Sequence, residues 1–396
     1  MTGNCTTLNI SSFNETKKTV VQYPTKGKRE FKTITSWKDG ALAETTAGSF
    51  KIKTDELTPL GGGNTAIEPM QFNFLIKLIF IFLFTSVSSY SFNLKNAANE
   101  FPKTDFDKKT INLNEIKSGG PPRDGIPPID NPKFVKEDKD IQYNEPVIYL
   151  EINQEAKIYP IRVLTWHEIV NDTIGTIPVS VTYCPLCNAS IVFDRRFADI
   201  VLDFGTTGRL RKSDLVMYDR QTETWWQQFT GEGIVGEFSG KELKKIPSML
   251  ISYGEALKMI KDQNLKVQIL KGNGARAYGS NPYVGYDQSS YPFLYDGTLP
   301  ADINPMEYVI VVENNAYTLQ SISNKKEVII KDIKITWKEG LSSALENNKI
   351  SNGRDLGFVR VQKLIKGKYE DIVYDYTFAF VYHAFHNGGK IINVDT

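Results

Sequence analysis

From residue 146 onward the apolar positions come in short bursts separated by turn-forming residues. Segments 147–152 and 156–160 are β-branched and aromatic and flank Asn153-Gln154, which predicts a hairpin. Segments 179–183 and 190–194 alternate, the period of a strand. Segments 200–204, 215–218, 308–312, 328–337 and 376–382 read as further strands. Two segments read as helices. One is 161–170; the other is 253–262, where Ser252 is placed to cap the first turn. No internal repeat is apparent. The pattern predicts a mainly β fold, α+β in class with few short helices, in a single compact domain over residues 119–396.

Ahead of residue 119 the pattern changes. Residues 119–134 carry Pro121, Pro122, Pro127, Pro128 and Pro132. Proline fixes φ and removes an amide donor, so this stretch is expected to enter the domain extended. Residues 92–118 are rich in Lys, Asn and Asp with no sustained period, and are expected to form a flexible linker. A strongly apolar run begins at Leu78, after Lys77, and is followed by Ser86, Ser88, Ser89 and Ser91. Its core of about 10 residues fits a signal peptide with a small-x-small cleavage site. It falls short of the roughly 20 apolar residues that span a bilayer. Residues 70–91 are therefore expected to direct export to the periplasm or beyond, with no stable transmembrane helix after cleavage. Residues 1–69 are expected to be a truncated leader joined upstream.

Lys plus Arg number 47 and Asp plus Glu 46, for a formal net charge of +1, which leaves no electrostatic footprint for nucleic acid. Three cysteines cannot build the disulfide framework of a small secreted domain. With only 3 His as well, any thiol or imidazole site has few possible members.

Cys184-Pro-Leu-Cys187 sets two thiols a knuckle apart. That spacing lets both sulfurs face one zinc or copper ion, lets them close a small disulfide, or leaves two plain buried thiols. A thioredoxin arrangement would open a helix here, whereas residues 188–193 read as a strand. His167 is the expected third metal ligand, or a general base oriented by Glu168 or Asp172, or else a half-buried histidine satisfied by a backbone carbonyl. It does not belong to a His-Glu-x-x-His helix, because the position one turn on is Asn171. Asp214, Asp219 and Arg220 lie beside apolar strand residues and are expected to face a polar ligand. Asp219-Arg220 also reads as a structural ion pair closing a turn. Candidate catalytic residues are thus His167, Glu168, Asp214, Asp219 and Arg220, and candidate metal ligands Cys184, Cys187 and His167. Phe204-Gly-Thr-Thr-Gly208 lacks the Gly-Lys-Ser/Thr ending of a phosphate loop and is expected to be a glycine turn. Trp225-Trp226 reads as core plus rim, and Ser190 lacks the elbow of a serine hydrolase.

Asp124-Gly-Ile-Pro127, Trp166-His-Glu168, Thr182-Tyr-Cys-Pro-Leu-Cys187, Met217-Tyr-Asp-Arg-Gln-Thr222, Asn281-Pro-Tyr-Val-Gly-Tyr286 and Ala384-Phe-His386 together resemble a bacterial family catalogued as domain of unknown function 3179. The resemblance covers about residues 119–390 and implies an exported domain with no established activity. Separately, residues 33–70 resemble the opening β-hairpin of the osmotically-inducible-protein-C-like peroxide reductases. Nothing in this chain matches that family's two reactive cysteines. Two functions are compatible with these residues. One is a metal- or thiol-dependent envelope protein centred on Cys184, Cys187 and His167. The other is a non-catalytic envelope module with a structural disulfide, binding a small ligand or an envelope protein.

Overall fold

Two-residue turns fold the bursts onto one another. Pro146–Ile152 and Glu155–Pro160 pair antiparallel around Asn153 and Gln154, which take φ of 51° and 64°. Such left-handed turns match the twist of the strands they join. Lys212 and Ser213 do the same between Phe204–Arg211 and Asp214–Asp219, with φ of 52° and 67°. Neither is glycine, so the flanking strands hold these angles against their intrinsic cost.

The computed structural model describes residues 33–39, 42–47, 50–54, 92–274, 276–386 and 389–395. The chain divides into two units, residues 1–90 and 91–396. In the first, Thr33–Asp39, Leu42–Ala47 and Phe50–Thr54 form an antiparallel meander. The expected signal peptide lies outside the described residues.

The second unit is mainly β, with short helices, and its sheets are arranged like a small propeller. Three of its sheets matter for the site. The first runs Lys245–Ile246, Ala189–Asp194, Ile177–Cys184, Ile169–Ile174. The second runs Gly233–Val235, Trp225–Gln227, Asp214–Asp219, Phe204–Arg211, Ile116–Ser118. The third runs Met249–Ser252, Pro146–Ile152, Glu155–Pro160, Ile269–Lys271, Lys133–Val135. One large core joins them, filled by residues such as Tyr159, Tyr183, Phe193 and Trp226.

Several expectations are corrected. Residues 92–118 are part of the fold and not a linker. They carry the helix Leu94–Glu100 and the strand Ile116–Ser118, which completes the second sheet. Fully buried Phe101 and nearby Phe106 pack edge-on against Trp225 at 5.2 and 5.3 Å. A polar composition conceals two aromatic anchors, and two large rings bury enough apolar area to order a short segment. Trp225 and Trp226 are both fully buried, so neither forms a rim. Phe204-Gly-Thr-Thr-Gly208 is not a turn but strand, kinked by a register shift between Thr206 and Arg209. Segment 376–382 splits into the strand Asp375–Phe378 and the helix Ala379–Phe385, because a run buried on every face has no period to read. Segment 328–337 is a hairpin, Glu327–Ile330 with Ile333–Lys338. The first expected helix stops at His167, and Ile169–Ile174 is strand.

Candidate functional site

The Cys-Pro-Leu-Cys segment joins two antiparallel strands, with Ala189 paired to Cys184 and Ser190 to Tyr183. Between them Pro185–Cys187 makes one 3-10 turn with proline in its first turn, and Asn188 closes it in the left-handed region, φ 47° and ψ 34°. A single tight turn presents both sulfurs on one side. Both thiols are free, buried, and directed at the Ser213 carbonyl, at 4.0 Å for Cys184 and 3.6 Å for Cys187.

Ser213 ends the two-residue turn described above, so the next residue, Asp214, enters the core beside the thiols. The donor atoms of Cys184, Cys187 and Asp214 all lie within 4.8 Å of one another. Asp214 is 0% exposed. Its Oδ2 accepts from Gln227 Nε2 at 2.6 Å and from the Phe229 backbone N–H at 2.8 Å. Its Oδ1 is buried with no hydrogen-bond partner among the described residues. Burial pushes Asp214 up to about 6, against the pull of Gln227, the Phe229 N–H and the two thiols.

Glu168 supplies a further acidic group. It terminates the helix Ile161–His167 with φ 57°, a conformation uncommon for a residue with a side chain, and its N–H reaches Leu164 O at 2.6 Å. That abrupt stop turns the chain into Ile169–Ile174 and leaves the carboxyl buried. Burial first, then the charge of Asp214, push it up to about 8. Burial also raises both thiols, Cys187 furthest, with Asp214 and Glu168 adding to the rise at Cys184. Tyr283 and Tyr286 flank the group. The Tyr286 hydroxyl donates to Leu186 O at 3.1 Å, while Tyr283 is raised by burial and by the charges of Glu168 and Cys184. Two carboxyl and two thiol groups therefore share a low-dielectric volume without a cationic partner for either carboxylate among the described residues.

The other sequence candidates lie elsewhere. His167 does not join the donor cluster. Its Nδ1 contacts Pro127 O at 2.7 Å and its Nε2 the Tyr278 hydroxyl at 2.7 Å, so both ring nitrogens are engaged. Asp214 takes the place expected for it. Asp219 accepts from Trp226 Nε1 at 2.9 Å and from the Thr222 N–H and hydroxyl, which makes it the anchor of its own turn. Arg220 pairs at 2.7 Å with Asp130, not with Asp219. Of the two remaining histidines, His383 lines an open cleft with Glu307 and Gln320, and His386 stacks on Tyr382 at 4.5 Å. That cleft and a second one, lined by Glu151, Asp194 and Lys245, do not include the four acidic groups. The donor atoms of Cys184, Cys187 and Asp214 lie close enough together to hold one ion.

Sequence reading missed Gln227 and the tyrosines. The signal for Gln227 was present: an amide following Trp225-Trp226 in a buried strand must find partners.

No curated protein and no solved structure matches the chain. The family model described as Protein of unknown function (DUF3179) matches residues 123–389, which include all four acidic groups and both flanking tyrosines. That match begins beyond residues 33–70 and does not bear on their likeness to the osmotically-inducible-protein-C-like family. On this match, which extends over more than half of its length, the chain belongs to the DUF3179 family.

Proposed function

We propose that this is an exported metal-binding protein, in which Cys184, Cys187 and Asp214 hold one divalent ion, with the Glu168 carboxyl buried nearby. The observation that carries the reading is the Asp214 Oδ1 atom, buried without a partner beside two free thiols. Native interiors rarely leave a carboxylate oxygen in that condition. Two soft thiolates with one or two hard carboxylates suit a borderline ion of the zinc kind. Copper(I) prefers sulfur and imidazole, so zinc fits this donor set better. Three protein donors would leave a fourth position for water or another ligand. Export rests on the signal-like run at residues 70–91.

The test is elemental analysis of protein matured in an oxidising compartment, with Cys184→Ser and Asp214→Asn beside it. One ion per wild-type chain, lost in both variants, is expected. A disulfide between Cys184 and Cys187 with no bound metal would instead favour a non-catalytic binding module. For export, a reporter fused after Asn93 in a chain started at Met70 should reach the oxidising compartment. Its retention in the cytoplasm refutes that part alone.

A further inference from the structure

Asp214 can serve an ion through Oδ1 only while its Oδ2 side is held. One of the two groups holding it is the Gln227 amide, 2.6 Å from Oδ2. A glutamine amide can face either way, and here its orientation is set. Gln227 Oε1 accepts from Arg211 Nη1 at 3.2 Å, so the NH2 end faces the carboxylate. The reverse orientation would set oxygen against oxygen at Asp214 and N–H against N–H at Arg211. Arg211 is held in its turn. Its Nε donates to Glu115 Oε2 at 2.8 Å. Glu115 closes a capping box with Asn112 in the 3-10 turn Leu113–Glu115. The strand that follows, Ile116–Ser118, pairs with Phe204–Arg211 and places Ile116 opposite Arg211. The series begins at a side chain 38% exposed, Glu115, passes through Arg211 at 13%, and ends at Gln227 and Asp214, both at 0%.

We propose that Gln227 is a positioning residue for the metal, and that Glu115 and Arg211 make metal affinity depend on residues 112–118. This rests on the metal reading above. Without the amide, the Asp214 carboxylate loses one of its two donors and is free to rotate about its own bond, so it is no longer fixed beside the thiols. Without Glu115, Arg211 is held less firmly and the amide orientation loosens. Hydrogen bonds of this outer kind fix ligand geometry and basicity, and removing one typically costs about 10- to 100-fold in metal affinity. A stretch that reads as a linker in the sequence thereby tunes a buried site on the far side of a strand.

The experiment is a zinc titration of the full chain against a chromophoric chelator, comparing wild type, Gln227→Ala and Glu115→Gln. Gln227→Ala should bind about 10- to 100-fold more weakly. In its cobalt form the thiolate charge-transfer band should persist while the d–d bands shift, because sulfur ligation survives while the carboxylate is held less firmly. Glu115→Gln should lose less, on the order of threefold, with the thermal midpoint of the metal-free protein unchanged. If Gln227→Ala does not fold, Glu115→Gln decides alone. A wild type that binds zinc while the folded variants match its affinity overturns the relay and leaves the metal reading intact. A wild type that binds no zinc overturns the metal reading, and the relay with it.

Discussion

Lys157, Asp172 and Tyr159 form one buried polar cluster of this domain; Cys184, Cys187, Asp214 and Glu168 form another. In the first, the Lys157 ammonium donates to Asp172 Oδ1 and Oδ2 at 3.1 and 2.9 Å and to Thr173 O at 2.7 Å. The Tyr159 hydroxyl donates to Asp172 Oδ2 at 2.7 Å, and the Phe134 ring lies 4.4 Å from the ammonium. Charge and hydrogen bonding close within the group, across two sheets. In the second, the Asp214 carboxyl lies among two thiols with Glu168 buried nearby, and Asp214 Oδ1 has no hydrogen bond among the described residues. Burial is the same in both, so burial does not mark a site. A polar atom left without a partner inside the fold is the feature that sets the second cluster apart.

The comparison can be broken most forcefully at the balanced cluster. Lys157→Met should cost about 3–5 kcal/mol in urea unfolding, since it leaves Asp172 buried and unpaired. Adding Asp172→Leu should recover most of that loss, as paired apolar replacements of buried ion pairs often do. A single variant of near wild-type stability would mean that the charge pair does not hold this junction.

A smaller effect belongs to the unbalanced cluster. Zinc at a hundredfold over its dissociation constant should raise the unfolding free energy by about 2.7 kcal/mol. Asp214→Asn should abolish that gain. Equal zinc response in wild type and Asp214→Asn would place the ion elsewhere.

The third concerns pH. Glu168 sits at about 8 in the fold, above its ordinary 4.5. A carboxyl raised in this way lends stability below pH 4.5, which is lost as pH climbs towards 8. Metal-free protein should therefore weaken over that window, by up to about 1.4 kcal/mol per pH unit from this group. Glu168→Gln should flatten the slope. Zinc-loaded protein should show the opposite trend, because binding needs ionised carboxylates and thiolates. Matching pH profiles for metal-free wild type and Glu168→Gln would show that Glu168 is not raised.

The smallest effect is a control. Ser252 caps the helix Tyr253–Asp262 by accepting from the Glu255 N–H. Ser252→Ala should cost about 1 kcal/mol at any zinc concentration. A zinc-dependent loss there would mean that the helix is coupled to the site.

The regular hairpins were legible because two-residue turns and alternating strands leave a local signal, as at Asn153-Gln154. The helix Tyr253–Asp262 was legible to the residue, since its cap and its amphipathic spacing agree. Residues 376–385 were not, because a segment buried on all sides shows no period. Residues 92–118 were not, because Phe101 and Phe106 acquire their meaning only against Trp225, over 100 positions away. At the site, Cys-x-x-Cys announced itself by spacing. Asp214 and Glu168 were singled out singly, but their meeting with the thiols depends on a hairpin tip and on a helix that stops at a left-handed residue. His167 was favoured because histidine is scarce in this chain, a statistical reason that the bonds to Pro127 and Tyr278 override.

The most direct test of the central claim is cobalt titration of reduced, metal-free protein, followed in the near ultraviolet. A thiolate-to-cobalt charge-transfer band that rises linearly and saturates at one ion per chain is the predicted result. It should be lost in Cys187→Ser and in Asp214→Asn. Protein whose Cys184 and Cys187 thiols are free, yet which develops no such band with cobalt in excess, would contradict the account.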